Sequence, residues 1–316
     1  MREYTEAIRQ EARRLLTDGG VQAVIGFAEG TLPMRTAPFF ARKVEEAERL
    51  IWGPYCENNL ARYLREWKGK KVAIVAKGCD TRSIVALMAE HQLMRDQVAI
   101  IGVPCEGMLD RRIVARRVPG EVLSTRQEGQ DVIVEGLRFS VRLPRRELLY
   151  RSCATCLHPN PVLSDVLLGE PVAIWNEDPY AYVREMESKP AQERAAYFAS
   201  EAGRCIRCYA CRQVCPMCYC EECFVDHTTP RWIESGVTPA GLQGWQIGRA
   251  YHLTGRCVDC GACERACPEE IDLVYLNGKL NKDVRELYGF ETGVQVDELP
   301  PLAVFLPEEG PDFRIR

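Results

Sequence analysis

Two cysteine runs in the C-terminal half restrict what this chain can fold into. Each run has the spacing Cys-x2-Cys-x2-Cys-x3-Cys followed by proline. In the bacterial ferredoxin pattern, three cysteines of such a run bind one [4Fe-4S] cluster and the fourth binds the neighbouring cluster. Because zinc ribbons use pairs of Cys-x2-Cys instead, the repeat predicts two [4Fe-4S] clusters rather than zinc or disulfides. The cysteines of the two runs are Cys205, Cys208, Cys211, Cys215, Cys257, Cys260, Cys263 and Cys267.

The bulk composition is that of an ordinary folded protein, and its charge gives no sign of a polyanionic partner. A length of 316 residues suggests two domains with an appended tail. The formal net charge of -4 gives no reason to expect nucleic acid or an anionic membrane as a partner. The first 16 residues are charged and helical, without the apolar core of a signal peptide, and no apolar run approaches the roughly 20 residues of a membrane span. We therefore expect a reducing, cytoplasmic location and no direct membrane insertion.

The N-terminal half contains a strand–helix–strand unit. Residues 71–76 and 98–103 are short apolar runs typical of buried parallel strands. A helical segment joins them, and its expected N-cap is Asp80 or Thr81. Cys79 and Cys105 each follow one of these strands, at the edge where open α/β sheets bind ligands. Either the two thiols share a ligand or they are a pair of buried core cysteines. The topology alone favours neither interpretation.

The remaining elements of this half predict an α/β domain over residues 1–175. Residues 3–17 have helical periodicity, residues 21–27 read as a buried strand, and residues 41–50 and 57–67 read as amphipathic helices. Residues 121–143 alternate and turn twice, which predicts an antiparallel meander beside the partly parallel sheet.

Three segments of this half resemble one protein family. They are Lys77-Gly78-Cys79-Asp80, Gly102-Val103-Pro104-Cys105, and the pair Cys153-x2-Cys156 followed by residues 164–169. These segments, spread over roughly residues 17–170, are similar to the beta subunits of the deazaflavin-dependent hydrogenases and dehydrogenases. The resemblance implies that Cys79, Cys105, Cys153 and Cys156 hold a third [4Fe-4S] cluster. It also implies FAD beside that cluster, although the chain has no G-x-G-x-x-G fingerprint.

The C-terminal half resembles a second group of proteins. Cys215 and Cys257 are 42 positions apart, and residues 240–255 between them have helical periodicity. This arrangement is similar to the α-helical ferredoxin modules of fumarate reductase iron–sulfur subunits and heterodisulfide reductases. We therefore expect a mainly α-helical two-cluster domain over residues 176–289 and an extended tail over residues 290–316. The resemblance implies two ligand sets, Cys205, Cys208, Cys211 with Cys267, and Cys257, Cys260, Cys263 with Cys215.

Four of the sixteen cysteines remain outside these sets. Cys218, Cys220 and Cys223 directly follow the first run, whereas Cys56 lies in the other predicted domain. We expect them to be packing thiols, three of them near a cluster. A zinc site is the alternative if His227 contributes a ligand.

The residues predict electron transfer rather than a substrate reaction. The four histidines are scattered and no Ser-His-Asp order occurs, so no catalytic residue is assigned. We expect an iron–sulfur subunit that relays single electrons between a hydrogenase-like, formate dehydrogenase-like or heterodisulfide reductase-like catalytic subunit and another redox partner, such as a ferredoxin or a flavin-containing subunit. One alternative is an FAD-containing reductase acting on a small substrate or deazaflavin, and another is a non-redox iron–sulfur scaffold or sensor. Cations near clusters raise their potentials, and the candidates are Arg82, Arg204, Arg207 and Arg256.

Overall fold

The structure, a computed structural model, describes residues 2–175 and 178–304. The strands are β1 Val24–Glu29, β2 Thr36–Ala41, β3 Val72–Ala76, β4 Val98–Gly102, β5 Ser124–Glu128, β6 Asp131–Gly136, β7 Phe139–Pro144 and β8 Val166–Leu167. The α-helices are α1 Arg2–Thr17, α2 Gly78–Ala89, α3 Arg111–Arg116, α4 Arg151–Ala154, α5 Ala181–Glu187, α6 Ala191–Gly203, α7 Ala210–Gln213, α8 Pro239–His252, α9 Ala262–Arg265 and α10 Leu273–Tyr288. Short 3-10 helices cover Val44–Arg49, Leu60–Trp67, Arg95–Gln97, Arg145–Leu148 and Pro301–Ala303.

A five-stranded sheet of order β2-β1-β3-β4-β8 organises the N-terminal half. Strands β1, β3, β4 and β8 run parallel, and β2 pairs antiparallel with β1 at one edge. Every residue of β3 is buried, as expected for a strand covered on both faces. The predicted parallel strand–helix–strand unit is confirmed, and it places the loops after β3 and β4 side by side.

The predicted antiparallel meander is also confirmed. Strands β5, β6 and β7 form a separate three-stranded sheet. Val132 and Val134 of β6 turn inward and pack with Leu148 into a small core of their own. The alternation of apolar and polar residues in this segment therefore gave the correct strand period.

Two predicted helices differ from the observed structure. The helix predicted over residues 41–50 is observed only over Val44–Arg49, as a 3-10 helix. Its first predicted residue, Ala41, instead ends strand β2 and pairs with Val24 of β1. The segment predicted at residues 57–67 is helical only over Leu60–Trp67, as a 3-10 helix capped by the Asn59 side chain.

Helices form the C-terminal half, as predicted. Helices α6, α8 and α10 surround the two cysteine runs. Trp245 is 1% exposed and packs there with Leu242, Ile271 and Leu273. The same core includes Cys205, Cys211, Cys263 and Cys267, so half of its eight buried residues are cysteines.

The two halves share a boundary with well-packed contacts. Met217 and Leu253 from the helical half belong to the same apolar cluster as the large sheet. The segment after α10 returns to the α/β half, where Thr292 is buried and its carbonyl accepts a hydrogen bond from Arg82 Nε at 2.9 Å.

Residues 305–316 of the predicted tail lie outside the described residues, and the domain limits at 175 and 289 remain predictions. Within the described ranges no helix is long and apolar enough to cross a membrane.

Candidate iron–sulfur centre

The two cysteine runs share one backbone conformation. The residue before the second cysteine is left-handed in both runs, with φ of 54° at Arg207 and 54° at Asp259. The residue after that cysteine is also left-handed, with φ of 58° at Tyr209 and 70° at Gly261. Non-glycine residues adopt this region at an energetic cost, so the repeated pattern indicates a shared geometric requirement. A chain that must direct three thiols at one centre has such a requirement.

The fourth cysteine of each run lies with the other run. Cys267 packs with Cys205 and Cys211 in the helical core. Cys215 is close enough to Cys260 and Cys263 for its charge to raise the pKa values of those thiols, in addition to the effect of their burial. The arrangement therefore brings together three residues of each predicted ligand set, and both sets remain predictions for this chain. These residues are Cys205, Cys211 and Cys267 of the first set and Cys215, Cys260 and Cys263 of the second.

Two buried arginines test whether these residues fit a cluster. Arg207 and Arg249 are 8% and 4% exposed. The Nε atom of each is buried and has no hydrogen-bond acceptor among the described residues. Both lie beside cysteines, because the Arg207 amide donates to Cys205 Sγ at 3.4 Å and Arg249 Nη2 donates to the Cys211 carbonyl at 3.1 Å. A buried donor without an acceptor is costly, and a sulfur-rich cluster supplies acceptors, so the residues present fit the group.

The third predicted set also comes together. Cys79 follows β3, Cys105 follows β4, and Cys153 and Cys156 lie on and just after α4. All four line one cavity between the two halves, and all four are partly exposed. Cys260 of the second run lines the same cavity. The topology, which could not decide between a shared ligand and a core pair, thus places both thiols at a common site with two more cysteines.

A buried lysine beside this third set was not identified from the sequence as a functional residue. Lys77 is 2% exposed and forms an ion pair of 2.9 Å with Asp80, which has no exposed surface. Its Nζ donates to the Asn58 carbonyl at 2.8 Å and lies 4.9 Å from the Phe27 ring centroid. Burial opposes the charge of Lys77, but Asp80 and the Cys79 thiol raise its pKa on balance. The sequence does contain a feature that could have identified Lys77, which is the order Lys-Gly-Cys-Asp directly after an apolar strand.

The start of α2 also differs in detail from the prediction. The expected N-cap was Asp80 or Thr81, whereas the observed N-cap is Lys77. Asp80 is the third residue of the helix, and its carboxylate accepts from the Lys77 amide at 2.8 Å. The helix therefore begins three residues earlier, which places Cys79 in its first turn.

Arg265 joins the second run to the third set. From α9, its Nη1 donates to the Cys260 carbonyl at 2.7 Å and its Nη2 donates to the Glu57 carbonyl at 2.6 Å. Burial opposes its charge, while Cys153 and Cys260 favour it and its pKa is raised on balance. Neither Arg265 nor Arg249 was among the arginines selected from the sequence.

The four arginines that were selected from the sequence as cations near a cluster have different neighbours in the structure. Arg82 borders the third set, where its charge opposes the effect of burial on the pKa of Cys156, and Arg207 borders the first run. Arg204 donates to the carbonyls of Glu269 and Glu270, which are just beyond the second run. Arg256 instead pairs with a carboxylate of the α/β half, Glu90, at 2.7 Å.

The four additional cysteines lie in two separate parts of the structure. Burial raises the pKa of the Cys56 thiol to about 12, and its side chain has no exposed surface. Cys218, Cys220 and Cys223 line a separate cavity of 250 Å³ beside the first run. In residues 2–175 and 178–304, no group of three or more His, Cys, Asp or Glu side chains is placed to hold a single metal ion, the three predicted cysteine sets included, so the zinc alternative at His227 stays a prediction.

These features define a class of protein before any comparison is made. Two ferredoxin-type runs with one backbone conformation, enclosed by helices, are those of a dicluster iron–sulfur protein. Residues 201–271 match the family described as 4Fe-4S dicluster domain. The matched segment contains all eight cysteines of the two runs and supports the presence of [4Fe-4S] clusters.

Known relatives extend the similarity across both halves. The chain is 26% identical over 301 residues to the F420-dependent formate dehydrogenase subunit beta of Methanocaldococcus jannaschii, covering 77% of this chain and 78% of the relative. It is 24% identical over 352 residues to the F420-dependent formate dehydrogenase 1 subunit beta of Methanococcus maripaludis, covering 91% of this chain and 90% of the relative. Coenzyme F420 is a deazaflavin, so the resemblance drawn from the three N-terminal segments is confirmed.

One solved structure is also similar. The F420-reducing [NiFe] hydrogenase complex from Methanosarcina barkeri contains a chain that matches 48% of this protein and 58% of its own length, with a TM-score of 0.38 and 18% identity. A likeness of this size does not establish a shared fold.

Proposed function

We propose that this chain is the iron–sulfur electron-transfer subunit of an oxidoreductase complex, with three cysteine sets that each hold a [4Fe-4S] cluster. Bound clusters would supply reversible one-electron transfer. Cys205, Cys208, Cys211 and Cys267 would hold the first cluster, Cys257, Cys260, Cys263 and Cys215 the second, and Cys79, Cys105, Cys153 and Cys156 the third.

One observation carries the proposal. The cavity lined by the four cysteines of the third set is also lined by Cys260 of the second run. The second run in turn packs against the first through Cys263 and Cys211. The three sets are therefore neighbours in a row, the second between the other two. A relay needs this order, whereas a scaffold does not.

The surface of the first run supports contact with a redox partner. Cys208 is exposed, whereas Cys205 and Cys211 of the same run are buried. Ile206, two residues before Cys208 in the same run, is 54% exposed, so the run presents an apolar side chain as well as a cysteine at the surface. This surface gives a partner a short approach to the first cysteine set.

The relatives supply the class of partner. Both are named beta subunits of F420-dependent formate dehydrogenases, so catalytic redox subunits are the expected partners. We propose a catalytic subunit of the formate dehydrogenase type at one end of the row of cysteine sets. A second redox partner would contact the other end.

Metal content after anaerobic purification tests this proposal. Three loaded cysteine sets contain about 12 iron and about 12 acid-labile sulfide per chain. The Cys79→Ser variant should fall to about 8 iron, since only the third set is disrupted. The Cys56→Ala variant is the matched control, because Cys56 is buried and belongs to no set, and it should keep the wild-type iron content. About 8 iron in the fully loaded wild type would refute the third set.

A second candidate function is supported by a cationic cavity between the halves. This cavity of 310 Å³ is lined by Arg35, Arg62 and Arg111. The Nε atom of Arg111 is buried without an acceptor among the described residues. Arg62 is paired with Glu66 at 3.6 Å, but an unpaired guanidinium such as that of Arg111 favours an anionic ligand, and a phosphate-bearing flavin is one. The alternative function is an FAD-containing reductase that acts directly on a small substrate or a deazaflavin.

Flavin extraction separates the two functions. One FAD per chain, lost in Arg111→Gln but kept in the exposed control Arg126→Gln, would favour the reductase. Turnover of reduced deazaflavin with an artificial acceptor, in the absence of any partner subunit, would confirm it. Full iron with no flavin and no turnover would leave the relay as the function.

A further inference from the structure

Arg249 is a buried cation placed between the two ferredoxin-type runs. It is the one residue of Asp, Glu, Lys or Arg type in helix α8, and it is 4% exposed. Its Nη2 donates to the carbonyl of Cys211 on the first run at 3.1 Å. Its side chain also lines a cavity together with Cys215, Cys257 and Cys263 of the second cysteine set. One guanidinium therefore contacts the surroundings of both sets.

The charge of Arg249 is not neutralised by a carboxylate. In the part of the chain that the structure describes, no Asp or Glu oxygen lies within ion-pair distance of its guanidinium, and its Nε has no acceptor. Two buried lysines are paired, since Lys77 contacts Asp80 at 2.9 Å and Lys282 contacts Glu187 at 3.2 Å. Arg207, beside the first run, resembles Arg249 in that its guanidinium donates to backbone carbonyls rather than to a carboxylate. A buried, unpaired cation is expensive unless a nearby negative charge compensates it. The nearest such groups are cysteine thiols.

Arg265 has the corresponding position between the second and third sets. It donates to the Cys260 carbonyl of the second run at 2.7 Å, and it lines the cavity of the third set. Its other hydrogen bonds go to the Glu57 carbonyl and, at 3.5 Å, to Ser152 Oγ. These acceptors are neutral, and the charge of Arg265 is stabilised mainly by Cys153 and Cys260 on its two sides, with a smaller contribution from the Glu57 carboxylate.

We propose that Arg249 and Arg265 are positioning residues that set reduction potentials, each acting on the two cysteine sets between which it lies. The inference rests on the proposed function. Reduction of a bound cluster adds one electron and one negative charge, with no bond broken and no proton taken up. A fixed positive charge favours that reduced state, most strongly in a buried environment. Because each arginine lies between two sets, it raises the potentials of both.

Redox titration of the anaerobic full-length holoprotein, followed by EPR, tests this. The Arg249→Gln variant should be roughly tenfold harder to reduce at the first and second sets, a shift of about 59 mV for a one-electron couple, and unchanged at the third. Arg265→Gln should shift the second and third sets and leave the first unchanged. The Lys variants at both positions keep the charge and should remain near wild type. Arg126→Gln, an exposed arginine of β5, is the control and should shift nothing.

The signals are assigned with the Cys79→Ser variant, which removes the third set alone. Potentials of fully loaded Arg249→Gln that match the wild type would overturn the inference, as would an equal shift of all three sets. If the wild type contains about 8 iron, the third cluster of the proposed function is refuted. The Arg249→Gln measurement still tests whether Arg249 raises the potentials of the first and second sets.

A variant that loses iron cannot be titrated, so a second measurement uses the wild type. Holoprotein labelled with 15N-arginine is reduced and examined by pulsed EPR. Coupling of the first-set and second-set signals to guanidinium nitrogen is expected if Arg249 Nε donates to a cluster sulfur. The coupling to the second set should disappear in Arg249→Lys, whereas a contribution of Arg207 to the first-set signal should remain. Reduced holoprotein without any such coupling would overturn the contact.

Discussion

The two halves of this molecule bring cysteines together in different ways. The helical half uses two short runs in which spacing and left-handed residues direct neighbouring thiols at one centre. The α/β half collects its four cysteines from separate loops, and they meet because parallel strands end at one edge of a sheet. The first arrangement is encoded locally. The second depends on the fold being complete before the site exists.

The cores of the two halves differ accordingly. The large sheet is packed by apolar side chains such as Ile25, Phe27 and Ile74, none of which has exposed surface. The helical core relies on cysteines for half of its buried residues. Apolar burial stabilises the first half whether or not metal is bound. The second half has fewer apolar groups to replace the bonds that a cluster provides.

Removal of iron should break this comparison most strongly. Anaerobic chelation should unfold α7 to α10 and leave β1 to β4 folded, because only the helical core depends on bound metal. Hydrogen exchange should accelerate at least ~100-fold in the helical half and change little in the sheet. A sample treated identically without chelator is the control. Equal loss of protection in both halves would mean that the α/β fold also depends on its cluster.

The next largest effect concerns buried ion pairs. Lys77→Met leaves the Asp80 carboxylate, which has no exposed surface, without its partner. We expect a loss of about 3–5 kcal/mol in the free energy of unfolding. Lys282→Met in the helical half is the matched variant and should cost about 1 kcal/mol or less, since its partners reach solvent. Denaturant unfolding measures both values, and equal losses would contradict the different environments of the two pairs.

Contact between the halves gives a smaller effect. A Cβ atom at Gly261, where φ is 70°, would lie 2.2 Å from Ser152 Oγ of the α/β half. Gly261→Ala should therefore destabilise the protein by about 1–3 kcal/mol. Gly129→Ala is the control for backbone strain alone, because φ is 61° there and nothing lies within 4 Å. Thermal unfolding that is equally affected by both variants would show that the close approach of Gly261 to Ser152 is unimportant.

The smallest expected effect is the pH dependence of stability due to Cys56, a cysteine that belongs to none of the three predicted sets. The pKa of the buried Cys56 thiol is raised from 9.0 to about 12, so folding favours the protonated form. Its contribution to stability is complete below the unfolded pKa and is lost as pH rises from 9.0 towards about 12. Between about pH 8 and pH 10 the wild type should lose about 1 kcal/mol more than Cys56→Ala. Parallel pH profiles would place Cys56 outside the stabilising core.

Local sequence patterns were sufficient to predict the iron–sulfur motif of eight cysteines in the helical half, the helices around it and the parallel strand–helix–strand unit. Spacing and periodicity are properties of neighbouring residues, so they need no knowledge of the fold. Strand β2, over Thr36–Ala41, shows the limit of this reasoning, because no local pattern predicted it. Its six residues pair in register with β1, and this pairing decides their conformation.

Tertiary structure alone decided where charge lies around the cysteine sets. Arg249 and Arg265 were ordinary residues of helical segments in the sequence, and only packing placed them between sets. Of the arginines selected by proximity along the chain, Arg256 pairs with a distant carboxylate instead. A motif specifies which thiols can bind a cluster, because the ligands of one run are close in sequence. The charge that acts on that cluster comes from residues distant in sequence, because electrostatic interaction depends on separation in space.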